Sequence, residues 1–130
     1  MKILGIGVDS IENSRIKKSI ESQKFVNRIF TIDEISKSKK INNKISFFSK
    51  RFAAKEAFSK ALGTGFRNNL NFKDISITND KYGKPSIKIS NKLQNFFKKQ
   101  FRTTKVSIHL SISDEKKHSI AFVVLGKKWI

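Results

Sequence analysis

The stretch Ile45 to Leu62 constrains this chain more than any other segment. It runs through Ala and straight-chain residues without Gly or Pro and meets Gly63 as a C-terminal stop, so it reads as one long helix. Phe48, Phe52, Ala53 and Ala57 give that helix an apolar flank on which other elements must pack. The length of 130 residues fits one domain, 1–130, with no room for a separate substrate domain.

The partners of the helix are short. Ile3 to Val8 is apolar and glycine-containing and reads as a buried strand ending at Asp9. Ile11, Ile16 and Ile20 mark a short helix through Arg15, Lys17 and Lys18. Thr31-Ile32-Asp33-Glu34 has capping-box spacing and starts another helix. The basic run Lys37 to Lys44 reads as a helix end and loop. After the loop Gly63 to Asn71, Ile75 and Ile77 alternate with polar residues, Lys81 to Pro85 make a turn, and Ile87 with Ile89 return as a hairpin. Lys92 to Phe101 reads as helical. Val106, Ile108, Leu110 and Ile112 then alternate with Ser107, His109, Ser111 and Ser113, and a turn at Asp114 to Lys117 leads into the strand Ile120 to Leu125. The expectation is an α+β fold, a long helix packed on antiparallel hairpins.

Two acids stand out by position. Asp9 sits where the first strand emerges, and Glu56 lies among Phe and Ala in the long helix. A carboxylate near a packed helix side must be paired, protonated or metal-bound, because an isolated buried charge is costly. Glu56 and Lys60 are also four apart, so an ordinary helical ion pair accounts for the helix by itself, and Asp9 alone could cap the next element. Two carboxylates brought together would suit Mg2+, which takes oxygen ligands and is completed by water and phosphate. Zinc spacing is absent, with His109 and His118 on separate candidate strands. Gly63-Thr64-Gly65 follows a helix, whereas a phosphate cradle of the P-loop kind precedes one.

The formal charge of +18 points to a polyanionic partner: nucleic acid, acidic membrane, phosphate-rich cofactor or acidic protein. Compositional bias toward Lys, Ile, Asn and Phe accounts for part of it. A nucleic-acid-binding module would need exposed aromatics or a docking motif, and the Phe residues here fall at helix-packing positions. There is no cysteine, hence no disulfide framework, and no apolar run approaches the about 20 residues of a membrane span. The opening Met1 to Asp9 meets an acid too soon for a secretory signal, so a cytoplasmic location is expected.

Gly5-Ile6-Gly7-Val8-Asp9-Ser10-Ile11-Glu12 resembles the opening signature of the holo-[acyl-carrier-protein] synthases, the bacterial phosphopantetheinyl transferases. Arg51-Phe52-Ala53-Ala54-Lys55-Glu56-Ala57-Phe58-Ser59-Lys60-Ala61 with Gly63-Thr64-Gly65 resembles their second signature, and Gly83-Lys84-Pro85 also matches in order. The resemblance implies the phosphopantetheinyl transferase fold and transfer of 4′-phosphopantetheine from coenzyme A to a serine of apo acyl carrier protein. That reaction releases adenosine 3′,5′-bisphosphate and serves fatty acid biosynthesis.

By the same resemblance, Asp9 and Glu56 would hold Mg2+ against the pyrophosphate, and Lys60 would contact phosphate and take part in catalysis. Arg51, Lys60, Gly63, Gly65, Lys84 and Pro85 would bind coenzyme A. Arg15, Lys24, Phe25 and Arg28 would dock the carrier protein; neither nucleic acid nor membrane is an expected partner. Many members have histidine where Asp114 stands, and its phosphate contact does not carry over to an anion. On a helix, Arg51 and Lys60 point about 180° apart; the homotrimer that the resemblance implies, with sites between subunits, removes that difficulty.

Overall fold

A computed structural model describes residues 1–67 and 69–128. Its centre is α4, Lys44–Ala61, opened by Asn43, whose Oδ1 accepts from the Ser46 amide at 3.0 Å, and closed at Leu62 before Gly63 turns the chain with φ +80°. Asn68, within the expected loop from Gly63 to Asn71, lies outside the described residues. The helix is buried well beyond the expected flank: Phe47, Ala54, Lys55, Phe58 and Ala61 join Phe48, Ala53 and Ala57 inside, while Phe52 is only partly covered. The cause is that elements surround it, with β1 (Lys2–Glu12) and β5 (His118–Lys127) on one side and α1 (Asn13–Ser19), α3 (Ile32–Ser38) and β2 (Ile75–Asn79) elsewhere.

β1, β5 and β4 (Val106–Asp114) form an antiparallel sheet in the order β1-β5-β4. β2 pairs antiparallel with β3 (Pro85–Ile89) as a separate hairpin. A 3-10 turn at Phe72–Asp74 precedes β2, and α5 (Asn91–Phe101) links the hairpin to β4. The helix α2, Gln23–Ile29, falls where the residues carry no clear periodic signal; Ser22 caps it by accepting from the Phe25 amide. The capping box at Thr31 and Glu34 forms as its spacing predicts.

β1 differs from expectation in two ways. It continues past Asp9 to Glu12, and only one of its faces is buried. Gly7, Asp9 and Ile11 pair with Val123, Ala121 and Ser119 on the face toward α4, whereas Ile6, Val8 and Ser10 pair with Val124, Phe122 and Ile120 on the other. Ile6 is 61% exposed, Val8 53% and Phe122 43%, which leaves an apolar stripe on the outside of the sheet. On the inner face a Cβ at Gly7 would collide with the Ala57 carbonyl oxygen, and one at Gly5 with that of Ala61. The strand backbone therefore rests directly on the helix backbone, a contact that also needs alanine at 57 and 61.

The deepest polar contact joins four elements. Lys55 and Glu34 are both fully buried, 2.8 Å apart from Nζ to Oε1. Lys55 Nζ also donates to the carbonyls of Phe72 at 2.9 Å and Ile75 at 2.7 Å, so its three protons are used. Glu34 Oε1 accepts from the Thr31 amide at 2.9 Å, and Oε2 accepts from the Ile77 amide at 3.0 Å. Burial pulls the Lys55 pKa down and the Glu34 charge opposes it. Removing one partner leaves a buried charge without its counter-ion. Lys55→Ala should cost about 3–5 kcal/mol in urea unfolding, and Lys55→Met with Glu34→Leu markedly less than the sum of the two single changes.

Candidate active site

Asp9 comes from the middle of β1 on the face toward α4, and Glu56 and Lys60 come from successive turns of α4. Lys60 does not form the ordinary helical pair with Glu56. Its Nζ donates to Asp9 Oδ1 at 3.1 Å and to the Val8 carbonyl at 3.0 Å. The Lys60 side chain is 55% exposed and that of Asp9 17%, so this pair lies at the rim of the packed interface. Burial, and then the charge of Asp9, push the Glu56 carboxyl above its ordinary value, while Lys60 pulls it down. The three side chains thus form one electrostatic unit, two carboxylates and an amine that opens to solvent.

Such a donor set fits a hard cation with few protein ligands. Among the described residues no cluster of three or more His, Cys, Asp or Glu exists. Two carboxylates, with water and phosphate oxygens completing the shell, match the habits of Mg2+. Gly63 and Gly65 lie just beyond, at the exit of α4, with φ of +80° and +69° that suit glycine. His109 is on β4, paired with Val124 on the outer face of the sheet, away from Asp9 in the same chain.

A second set of expected residues gathers elsewhere on α4. Arg51 is buried, its guanidinium stacked 3.6 Å from the Phe47 ring centre, with Nη2 donating to Asn79 Oδ1 at 2.8 Å. Its Nε has no hydrogen-bond partner. Arg51 lines a cavity of about 190 Å³ with Lys50, Asn79, Gly83, Pro85 and Asp114. Pro85 therefore joins Arg51 as expected, whereas Lys84 is placed in the turn, its amide donating to Asp80 Oδ1 at 2.9 Å. Asp114 accepts from Ser46 Oγ at 3.1 Å, at the first turn of α4. Gly83 belongs to the Gly83-Lys84-Pro85 motif, whereas Lys50 and Asn79 were not singled out by the sequence; the two-strand register that carries Asn79 opposite Pro85 is the signal that finds Asn79.

Residues 5–123 match the model of the 4′-phosphopantetheinyl transferase superfamily. The chain belongs to this superfamily. It is 60% identical over 128 residues to the holo-[acyl-carrier-protein] synthase of Pelagibacter ubique, an alignment covering 98% of this chain and all of that one. The fold is similar to the crystal structure of the Neisseria meningitidis holo-[acyl-carrier-protein] synthase, with a TM-score of 0.87, 38% identity, and 96% and 99% of the two chains covered. It is also similar to the Bacillus anthracis enzyme solved in complex with CoA (3′,5′-ADP), with a TM-score of 0.81, 38% identity, and 98% and 100% covered.

In this phosphopantetheinyl transferase three of the four expected docking residues are exposed, on two consecutive helices. Arg15 is exposed on α1, and Lys24 and Arg28 are exposed on α2. Phe25 differs from them. It is half-buried against Phe30 and Phe52, ring centres 6.3 and 6.0 Å away, so it anchors α2 to the core and offers only its remaining edge. No helix among the described residues is long and apolar enough to cross a membrane.

Folding raises the Glu56 pKa, so the folded state favours the protonated form. That contribution is fully present below the ordinary glutamate value and is lost as pH rises through the raised one. Carbon-13 NMR titration should show the Glu56 midpoint falling in Asp9→Asn and rising in Lys60→Gln. Glu56→Gln should modestly raise Tm at neutral pH and lose that advantage in acid.

Proposed function

We propose that this chain transfers 4′-phosphopantetheine from coenzyme A to a serine of apo acyl carrier protein with the help of Mg2+, in support of fatty acid biosynthesis. The observation that carries the reading is the Asp9, Glu56 and Lys60 unit at the β1–α4 contact, two carboxylates sharing one field beside an amine that already binds oxygen. Asp9 and Glu56 would hold the cation, and Lys60 would turn from Asp9 toward a phosphate oxygen. When bound, Mg2+ supplies positive charge against the pyrophosphate.

The carrier serine oxygen forms a bond to the phosphorus on the pantetheine side, and the bond from that phosphorus to adenosine 3′,5′-bisphosphate breaks. The Lys60 contact positions Asp9 before coenzyme A enters, and in the transfer step the serine proton leaves toward the carboxylate pair. Arg51, which lines the cavity shared with Pro85 and has an unpartnered buried Nε, is suited to a phosphate of coenzyme A, and Gly63 and Gly65 to close approach by the nucleotide. The exposed cations Arg15, Lys24 and Arg28 suit an acidic carrier surface, where complementarity speeds encounter and sets orientation.

The Lys60 and Arg51 sets lie on opposite sides of α4, and one chain does not aim both at one ligand. A homotrimer meets that constraint if the Asp9 side of one subunit faces the Arg51 side of the next. The outer stripe of Ile6, Val8, Ile120 and Phe122 supplies apolar surface for such an assembly.

Purified protein with Mg2+ and coenzyme A should add about 340 Da, the mass of the phosphopantetheine arm, to an apo acyl carrier protein. Glu56→Gln should abolish the addition while keeping the far-ultraviolet circular dichroism, and an unmodified carrier alongside a working control transferase would overturn the reading. Phe122→Asp should shift sedimentation from trimer to monomer and lower transfer by about tenfold or more.

A further inference from the structure

Some 20 Å along the sheet from Asp9, a second basic site is built where three elements end. The C-terminus of α5, the start of β4 and the end of β5 border an open cavity of about 570 Å³ lined by Lys98, Arg102, Thr103, Thr104, Lys105, Lys127 and Lys128. Among the described residues that line it, five are cations and none is an acid. The volume lies within the ordinary range for small-molecule sites.

The convergence is fixed by backbone and does not depend on flexible side chains drifting together. The Lys128 amide donates to the Lys105 carbonyl at 3.0 Å, which holds these two lysines opposite each other across the strands. Lys127 pairs with Val106 on one side and with Lys2 on the other. Arg102 ends α5 in the left-handed region, φ +53°, and turns the chain back toward the sheet. Thr103 Oγ1 accepts from the Lys105 amide at 3.0 Å, so its own proton remains a donor. Like charges held opposite one another across strands destabilise a sheet. The ends of α5 explain Lys98, which complements the negative helix terminus, but do not explain Lys105, Lys127 and Lys128.

Beside the basic cavity, and sharing Lys98 and Thr104 as a common wall, lies a smaller one of about 310 Å³ lined also by Ile89, Gln94, Phe97 and Val106. We propose that this pair of cavities binds a small polyphosphorylated molecule, its phosphates among Arg102, Lys105, Lys127 and Lys128 and its organic part against Ile89 and Val106. Such a ligand would neutralise the repulsion and tie α5 to the end of the sheet remote from Asp9. The site is independent of the transferase reading, because none of its residues belongs to that centre.

Tripolyphosphate is the probe. It is titrated by calorimetry into metal-free protein, both wild type and Lys60→Gln, with amide NMR shifts followed in parallel. One site per chain is expected, with shifts centred on residues 98–106 and 126–128. Arg102→Gln/Lys105→Gln/Lys128→Gln should weaken binding about tenfold or more while transfer stays within about twofold, and binding should weaken as salt rises. The exposed single change Lys105→Gln should weaken it about threefold and keeps the test decisive if the triple variant does not fold. Equal affinity in wild type and the cavity variants overturns the proposal, as do loss of binding in Lys60→Gln or shifts centred on Asp9 and Lys60.

Discussion

The buried Lys55–Glu34 ion pair is the constraint on which the arrangement of elements rests. An isolated charge of either sign could not remain in that interior, so α3 and α4 must meet, and the Phe72–Ile77 segment must supply the remaining partners. One lysine therefore ties α4 to α3, to the 3-10 turn and to β2. The pair is not an ornament on an apolar core. Well-packed apolar residues could match its stability, but they would not dictate a single register between the helix and the hairpin. Register matters because the same helix turns Glu56 toward β1 one residue after Lys55.

From that fixed helix the chemistry is divided by simple periodicity. Glu56 and Lys60 share one side with Asp9, and Arg51 reaches the β2–β3 hairpin on another. The polar end of the site is open and the Arg51 end is enclosed. In the proposed assembly, association of chains through the outer sheet stripe would bring together side chains that one helix must keep apart.

Much of this was legible in the residues. The long helix and its glycine stop, the capping box at Thr31 and both hairpins follow from spacing and turn chemistry, and β4 and β5 pair as their alternation implies. The pairing of Asp9 with Lys60 was not legible, because it depends on which strand lies against α4 and at what height. Glu34 could be read only as a cap; its second carboxylate oxygen serves a strand 43 positions away, and no local pattern encodes that. Lys55 looked like any lysine in a basic chain. The length of β1 and the helix α2 were missed for the same reason: sheet partners extend the strand, and packing of Val26 and Ile29 stabilises a helix whose own periodicity is weak.

The resting of β1 on α4 at Gly5 and Gly7 has a consequence for tolerance. Side chains between two elements act as cushions that can be compressed, exchanged or re-seated, and the elements then drift. Here peptide groups abut directly, and bonded backbone has almost no give. The separation between the carboxylate carried by the strand and the one carried by the helix is thus set by a hard stop. Heat, pressure or a changed neighbour would alter the surroundings of the pair well before altering its bite.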